Sequence, residues 1–484
     1  MRRIALLLIL VAAAAARLWH LTAGVPHAVG IDEPQVIDRA IRILQTGDWN
    51  THIFDYPSLV IYVHAVVAIF RFLWGALNGE WNSLDAFSIT AIYTTGRFVA
   101  AMIGVGTVWA VYRLGTAMAS ADVGLLAAAQ LAVLPMHVRE SRFILTDVPM
   151  TALTTLAMLF AVRAMRLGTV RAYAWAGAMC GFAAAAKYNG GVALVGVLVA
   201  LLINERSERD SGWKLAAAVA AAALAFVAAA PYTVLDMPGF LDGFAAQFAR
   251  FARNSATVDP AWLLYVKHLS PAWARFTVPL AIAGVIVLLW RPRTRLFAIP
   301  VAFFTATYFY VLASHSPVFG RYALPVLPLL AIFSAAAILE ILAALQRVRL
   351  LQRRPWQPLL LGATVLLVLG PPVAQTARWI DQQKRADTRQ MAADWLKANA
   401  PRGTRVAVEN SGPTYLGAAG FKVVGTELLL DHPPDWYRGR VDYLIMSGVD
   451  LARYGSYLEA GPTVFQIPVT RQRWGPPIQI VALR

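Results

Sequence analysis

The feature that most limits what this chain can become is a repetition of apolar runs, each close to the roughly 17 to 25 residues that cross a bilayer, separated by short clusters of arginine and lysine. Inside lipid no water satisfies a backbone, so each run must close its own hydrogen bonds as a helix. Such runs fall near residues 4–23, 91–117, 121–138, 143–162, 213–232, 275–290, 295–313, 322–344 and 357–375. A longer stretch, 172–204, is interrupted by Lys187, Tyr188, Asn189, Gly190 and Gly191 and reads as two short spans. Composition agrees: 58% apolar and 14% charged residues in a chain of 484, against about 50% and 25% in soluble domains, exclude an ordinary soluble enzyme. The formal charge of +16 sits in loop clusters that orient membrane proteins, so nucleic acid is not an expected partner and membrane lipids are. Cys180 is the one cysteine and lies in an apolar run, which excludes a disulfide or a cysteine metal site.

Loop charge sets the expected topology. Arg163, Arg166 and Arg171; Arg206, Arg209 and Lys214; Arg291, Arg293 and Arg295; and Arg347, Arg349, Arg353 and Arg354 mark four inside loops. Counting back to Arg2 and Arg3 works if 58–77 lies along the outer interface rather than crossing, and Asp55, Pro57 and Arg71 fit that placement. The result is about eleven transmembrane helices, with the N-terminus inside, the C-terminus outside and a first outer loop over 24–90. The basic start followed by an alanine tract reads as an uncleaved first span, with Arg17, Trp19 and His20 as an outer interfacial belt. A second outer loop, 233–274, carries an amphipathic helix over 239–253 with Phe240, Phe244, Phe248 and Phe251 at helical spacing; lining of a lipid-tail groove and simple packing both stay open for it. Composition changes at 376. An amphipathic helix over 376–399 and strand-like runs at 405–409, 421–425, 443–446 and 463–467 give a small C-terminal α/β domain, 376–484, after a membrane domain, 1–375.

This parity gathers the polar residues on one side. Asp32, Glu33, Arg97, His137, Arg139, Glu140, Arg142, Asp147, Lys187, His315 and Arg321 fall at or near outer ends of spans. A carboxylate near bilayer depth is costly and is a functional candidate on that ground, although Asp32 and Glu33 before Pro34 also suit the first turn of a helix. Separated carboxylates (Asp32 and Glu33; Glu140 and Asp147) together with separated cations (Arg97, Lys187 and Arg321) suit a lipid phosphate substrate. The cations neutralise phosphate and a carboxylate takes a proton from an attacking hydroxyl. Lys187 stands out because Gly181, Gly190 and Gly191 bracket it where the helix is broken. Arg97 and Arg321 also fit snorkelling anchors, Asp147 a helix cap before Pro149, and His137 an interfacial hydrogen bond.

In order along the chain, Arg17, Asp32 and Glu33, Thr46–Trp49, and Tyr56 to Leu59 are followed by Arg97 after Tyr93, Pro135 to Arg142 with Asp147 and Pro149, Lys187, Arg321 and Tyr322 with Pro325 and Pro328, and Asp387, Thr388, Arg389 and Trp395. This series resembles the GT-C fold glycosyltransferases of family 39, the protein O-mannosyltransferase and aminoarabinose transferase type, over roughly residues 1–345. The resemblance implies a bacterial inner-membrane enzyme that moves a sugar from a polyprenyl-phosphate donor to an acceptor hydroxyl on the periplasmic face with inversion. It gives Asp32 the role of base, with Glu33 supporting, makes Asp147 the second acidic position, and puts Lys187, Arg321 and Arg97 near the donor phosphate. The acceptor stays open between lipid, glycan and protein; Tyr56 stands where the family often has a second proline, and the long inserted outer domain of eukaryotic protein mannosyltransferases is absent from the sequence. No cofactor is required by these residues. A divalent metal is left open, with Asp32, Asp147 and His137 as its candidate ligands. The alternative class, a flippase or transporter of a lipid-linked sugar, calls for polar residues through the bilayer centre and related halves, whereas the span interiors here are mostly Ala, Leu and Val.

Overall fold

A computed structural model describes residues 1–84, 86–204, 210–252, 260–268, 271–314, 318–347, 356–424, 429–448, 451–468, 470 and 472–483, with backbone alone for 248, 250–252, 271–275, 357 and 451. The inside-loop residues Arg206, Arg209, Arg349, Arg353 and Arg354, together with His315, Arg253 and Gly425 and the side chains of Phe248 and Phe251, lie outside the described residues.

The helices are α1 (Arg2–Leu18), α2 (Glu33–Thr46), α3 (Leu59–Leu77), α4 (Ile89–Met118), α5 (Ala121–Val133), α6 (Pro135–Glu140), α7 (Asp147–Leu167), α8 (Val170–Ala186), α9 (Ala193–Leu202), α10 (Ser211–Ala229), α11 (Tyr232–Leu235), α12 (Met237–Ala252), α13 (Ala261–His268), α14 (Pro271–Trp290), α15 (Pro292–Ala313), α16 (Leu327–Gln346), α17 (Trp356–Gln382) and α18 (Thr388–Asn399). A helix occupies each of the eleven apolar runs. Among the described residues seven helices are long and apolar enough to cross a membrane, and α3 is one of them. Its length therefore admits a crossing that the loop charges alone place along the interface. The chain is a multi-pass membrane protein.

Two compact units divide the chain: one holds Met1–Trp19, Val36–Glu80 and Thr95–Ala377, the other His20–Gln35, Trp81–Thr94 and Arg378–Arg484. In the first unit α8 packs on α10 and α7, α14 on α16, α16 on α5, and α15 on α9. Lipid tails are as apolar as leucine, so such pairs are held by close fit and not by exclusion of water. The fit is visible at Gly177 and Gly181, four residues apart on α8: a Cβ would stand 2.0 Å from the Ala218 carbonyl oxygen at the first and 2.1 Å from that of Ala222 at the second. Gly284 meets the Phe333 carbonyl oxygen in the same way, at 1.8 Å.

In the second unit five strands, β1 (Arg405–Val408), β2 (Lys422–Val424), β3 (Tyr443–Ser447), β4 (Thr463–Ile467) and β5 (Ile478–Ala482), form one sheet in the order β2-β1-β3-β5-β4. β1 is parallel to β2 and β3, and β5 is antiparallel to β3 and β4. One face packs on α18 through Ala392, Ala393 and Leu396. The fifth strand went unread in the sequence because it follows Pro476 and Pro477 directly. A second correction concerns 376–399, read as one amphipathic helix. Residues through Gln382 continue α17 despite Pro371 and Pro372, and a separate helix starts at Thr388, with Asp387 as its N-cap accepting from the Arg389 amide.

Replacing Gly181 by leucine is expected to force α8 from α10 and to lower the thermal midpoint in detergent by the equivalent of about 1–3 kcal/mol. Gly362, with nothing within 4 Å of an added Cβ, serves as the control; equal midpoints for the two variants would contradict the close-packing account.

Candidate active site

The centre of the first unit's polar cluster is Asp147, the first residue of α7 and only 2% exposed. Its Oδ1 accepts from Lys187 Nζ at 2.7 Å, and Arg321 Nε lies 3.8 Å from its Oδ2. A buried carboxylate needs both partners and local dipoles, and the N-terminal end of α7 adds favourable helix charge. The three residues are 40 and 174 positions apart in sequence from Asp147 (187 − 147 and 321 − 147), yet they meet in one contact. Two cations and one carboxylate give the trio a formal charge of +1.

Backbone irregularity delivers both cations. Lys187 ends α8 in an extended conformation (φ −160°, ψ 132°), and a 3-10 turn over Tyr188–Val192 follows. The turn runs so close to α8 that a Cβ on Gly190 would be 2.3 Å from the Ala183 carbonyl oxygen. The break expected around Lys187 is present. Arg321 comes from a second 3-10 segment, Gly320–Val326, ahead of α16. Aromatic faces flank both cations: Lys187 Nζ is 4.0 Å from the Tyr322 ring centre, and the Arg321 guanidinium carbon is 5.2 Å from that of Phe319. Such faces attract cations while excluding water. Tyr308, unremarked in the sequence, braces this group. Its hydroxyl receives a hydrogen bond from Asn189 Nδ2 at 3.0 Å and donates to the Tyr322 carbonyl at 3.3 Å.

Glu140 lies at the end of α6, beside Arg139, whose Nε donates to its Oε1 at 2.7 Å. Burial raises its carboxyl above the usual range, Arg139 offsets part of that shift, and the charges of Asp147 and Arg321 also reach it. The second acidic pair is thus electrostatically connected to the trio. Arg97, at 2% exposure, does not snorkel; it stands over the Phe143 ring at 5.4 Å.

Two expectations are corrected here. Arg17, read as an interfacial belt residue, is completely buried. Its guanidinium donates to the carbonyls of Ala13, Leu131 and Ala132 and contacts His137 Nδ1 at 2.8 Å. It closes the carbonyls that the α5–α6 break at Leu134 exposes. His137 therefore faces a cation, which does not suit a metal ligand, and no three His, Cys, Asp or Glu side chains among the described residues converge as a metal site. A single sequence holds no signal that pairs residue 17 with residue 137. An ion pair at 3.0 Å between buried Arg39 and half-buried Asp55 was likewise not found; its one trace was an arginine on the apolar face of α2.

In the second unit, Asp32 is half-buried in a turn and Glu33 is the first residue of α2, fully buried. The Gly30 amide donates to Glu33 Oε2 at 2.7 Å, and the Glu33 amide donates to the Gly30 carbonyl at 3.1 Å. Glu33 thereby helps to close the turn that contains Asp32. Just ahead, His27 Nδ1 meets the Thr414 carbonyl at 2.7 Å. Burial lowers the pKa of His27 from 6.5, and the bond to Thr414 offsets part of this. The sign follows: the unfolded chain takes the proton first, so this contribution to stability is complete above pH 6.5 and is lost as pH falls through the lowered value. Protection factors of the 27–33 amides, corrected for the intrinsic pH dependence of exchange, are expected to fall between pH 7.5 and 5, and His27→Gln to flatten that dependence; identical profiles would contradict it.

Residues 87–234 match the family model described as dolichyl-phosphate-mannose-protein mannosyltransferase. That stretch contains Arg97, His137, Glu140, Asp147 and Lys187. No curated protein sequence matches the chain. Among solved structures it is similar to ArnT from Cupriavidus metallidurans bound to undecaprenyl phosphate, with a TM-score of 0.63 and 16% identity over 98% of this chain and 97% of that one. It is also similar to the oligosaccharyltransferase of Archaeoglobus fulgidus in the apo form, with a TM-score of 0.62 and 12% identity over 94% of this chain and 71% of that one. The archaeal AglB from the same organism, in complex with an inhibitory peptide and a dolichol-phosphate, gives a TM-score of 0.58 at 13% identity over 93% and 70% of the two chains. At these identities the likeness speaks for architecture, and with the broken helices, the buried trio and the C-terminal domain already in place, the chain has the GT-C fold of membrane glycosyltransferases.

Proposed function

We propose that the protein transfers a sugar from a polyprenyl-phosphate donor to an acceptor hydroxyl at the periplasmic face of a bacterial inner membrane, with inversion at the anomeric carbon. The observation that carries this reading is the pair of cations, Lys187 and Arg321, gathered on the single buried carboxylate of Asp147. Such a trio has net positive charge and an arrangement already fixed before a substrate arrives. Phosphate has three acceptor oxygens and suits a guanidinium and an ammonium held side by side. The dolichol-phosphate and undecaprenyl phosphate in the archaeal and bacterial structural neighbours are ligands of that kind.

In the proposed reaction the acceptor oxygen forms a bond to the anomeric carbon as the bond from that carbon to the phosphate oxygen breaks. The electron pair leaves on polyprenyl phosphate, where Lys187 and Arg321 stabilise the developing charge. The hydroxyl proton goes to Asp32, with Glu33 holding the turn that presents it. Asp147 keeps the two cations ordered when no phosphate is bound and relinquishes part of their charge when one is. Arg97 and Glu140 contribute to the field around the donor. The roles of Asp32 and of the cations are separable by experiment.

Purified protein in nanodiscs is incubated with radiolabelled polyprenyl-phosphate sugars and an envelope extract. Asp32→Asn is expected to lose turnover by about 10²–10⁴-fold while still binding polyprenyl phosphate. Lys187→Met and Arg321→Met are each expected to weaken polyprenyl phosphate binding by about 10–100-fold, the worth of one charge-assisted hydrogen bond. Wild-type turnover in folded Asp32→Asn, or unchanged lipid-phosphate binding in both cation variants, would overturn the respective assignment. Donor movement across sealed vesicles without transfer would favour a flippase.

A further inference from the structure

The C-terminal domain has no nucleophile motif or phosphate loop of its own, yet it grips the segment that leads to Asp32. All the contacts lie within the second unit. The Thr414 amide donates to the His27 carbonyl at 2.9 Å, and Thr414 Oγ1 donates to the Pro26 carbonyl at 2.6 Å. Arg389 Nη1 donates to the Val29 carbonyl at 2.9 Å. His27, Ala28 and Val29 are buried at 3%, 5% and 1% exposure, so this is an embedded stretch of backbone and not a loose strap. One residue beyond Val29, Gly30 and Glu33 close the turn that holds Asp32.

Arg389 is itself aimed. Its Nε and Nη2 donate to Asp387 Oδ1 and Oδ2 at 3.0 and 2.9 Å, which turns Nη1 toward Val29. Asp387 is fixed in turn, since the flanking backbone pairs with the C-terminal strand's approach: the Thr388 amide donates to the Trp474 carbonyl at 2.9 Å and the Trp474 amide to the Ala386 carbonyl at 3.0 Å. Gly475 leaves room for this. It has φ +96°, and a Cβ there would lie 2.4 Å from Thr388 Oγ1 and 2.8 Å from Asp387 Oδ1. A continuous series of hydrogen bonds thus runs from the end of the sheet domain to the turn of the catalytic candidate.

We propose that Arg389 is a positioning residue for the transfer reaction, and that the C-terminal domain serves to set the Asp32 turn through the Arg389–Val29 hydrogen bond. This rests on the reading of Asp32 as the proton acceptor. Lysine in place of Arg389 keeps the charge and one donor nitrogen but has no planar fork to satisfy Asp387 and Val29 together, so it should restore part of the function that alanine removes. Misplacement of a reacting group by about 1 Å costs on the order of 10²-fold in rate, and the defect should appear in kcat with the donor KM unchanged.

The test measures kcat and donor KM for Arg389→Ala, Arg389→Lys, Thr414→Val and Asp32→Asn in the full-length protein, with amide exchange at 30–33 and in the sheet. The expected result is a kcat lower by about 10²-fold in Arg389→Ala, partly recovered in Arg389→Lys, with faster exchange at 30–33 while β1 and β3 stay protected. Should Arg389→Ala fail to fold, the same kcat loss and local exchange are read on Thr414→Val, which removes one hydroxyl contact and leaves the sheet core intact. Normal kcat in folded Arg389→Ala, or in Thr414→Val where Arg389→Ala does not fold, beside an inactive Asp32→Asn, would overturn the positioning role alone. Full turnover in Asp32→Asn would overturn it as well, and would place the fault in the reading of Asp32.

Discussion

The buried carboxylate of Asp147 is the constraint on which the membrane unit's functional geometry depends. Removing one partner from such a buried pair costs about 3–5 kcal/mol because the remaining charge is left without compensation. Lys187 and Arg321 must therefore be delivered to one point, and the chain does so by breaking the α8–α9 stretch at Lys187 and by opening α16 with a 3-10 segment that carries Arg321. An unbroken α8–α9 helix would spend Lys187 on its own cylinder. The extended residue at 187 and the following 3-10 turn put the ammonium on Asp147 instead. Backbone irregularity at membrane depth is tolerated where protein covers it, and here Gly190, pressed on the Ala183 carbonyl, and the Tyr308–Asn189 contact supply the cover.

Arg17 and Glu33 are both spent on backbone groups. Arg17 is spent on carbonyls freed at the α5–α6 break, so that α6 can turn away and carry Glu140 toward the charges of Asp147 and Arg321. Glu33 gives its carboxylate to the Gly30 amide. Glu33 also begins α2, as the helix-start reading of the first-loop acidic pair expects.

What was legible in the sequence followed from local physics. Apolar run length located a helix at each of the eleven runs, because an apolar segment in lipid must satisfy its backbone alone. Glycines around Lys187 announced the break, since a residue that lets backbones touch leaves a mark in composition. Four of the five strands showed themselves as short runs of strand-forming residues. The meeting of Asp147 with Lys187 and Arg321 was suggested only as a shared side of the membrane, because contacts across 40 and 174 positions leave no trace in one sequence. For the same reason Arg17 was assigned to the wrong environment: an arginine after an apolar run has the same local pattern whether it faces headgroups or bare carbonyls. The start of α18 at Thr388 was missed because 376–399 has a continuous amphipathic pattern, which does not show that its first residues continue α17 to Gln382.

The central claim, that Lys187 and Arg321 receive the phosphate of a lipid-linked donor, is tested most directly by an experimental structure of the protein with polyprenyl phosphate in a lipid nanodisc. The account requires a phosphate oxygen within hydrogen-bond reach of Lys187 Nζ and another at the Arg321 guanidinium. A phosphate bound elsewhere, with the Lys187–Asp147 contact unchanged and Arg321 unengaged, would contradict it.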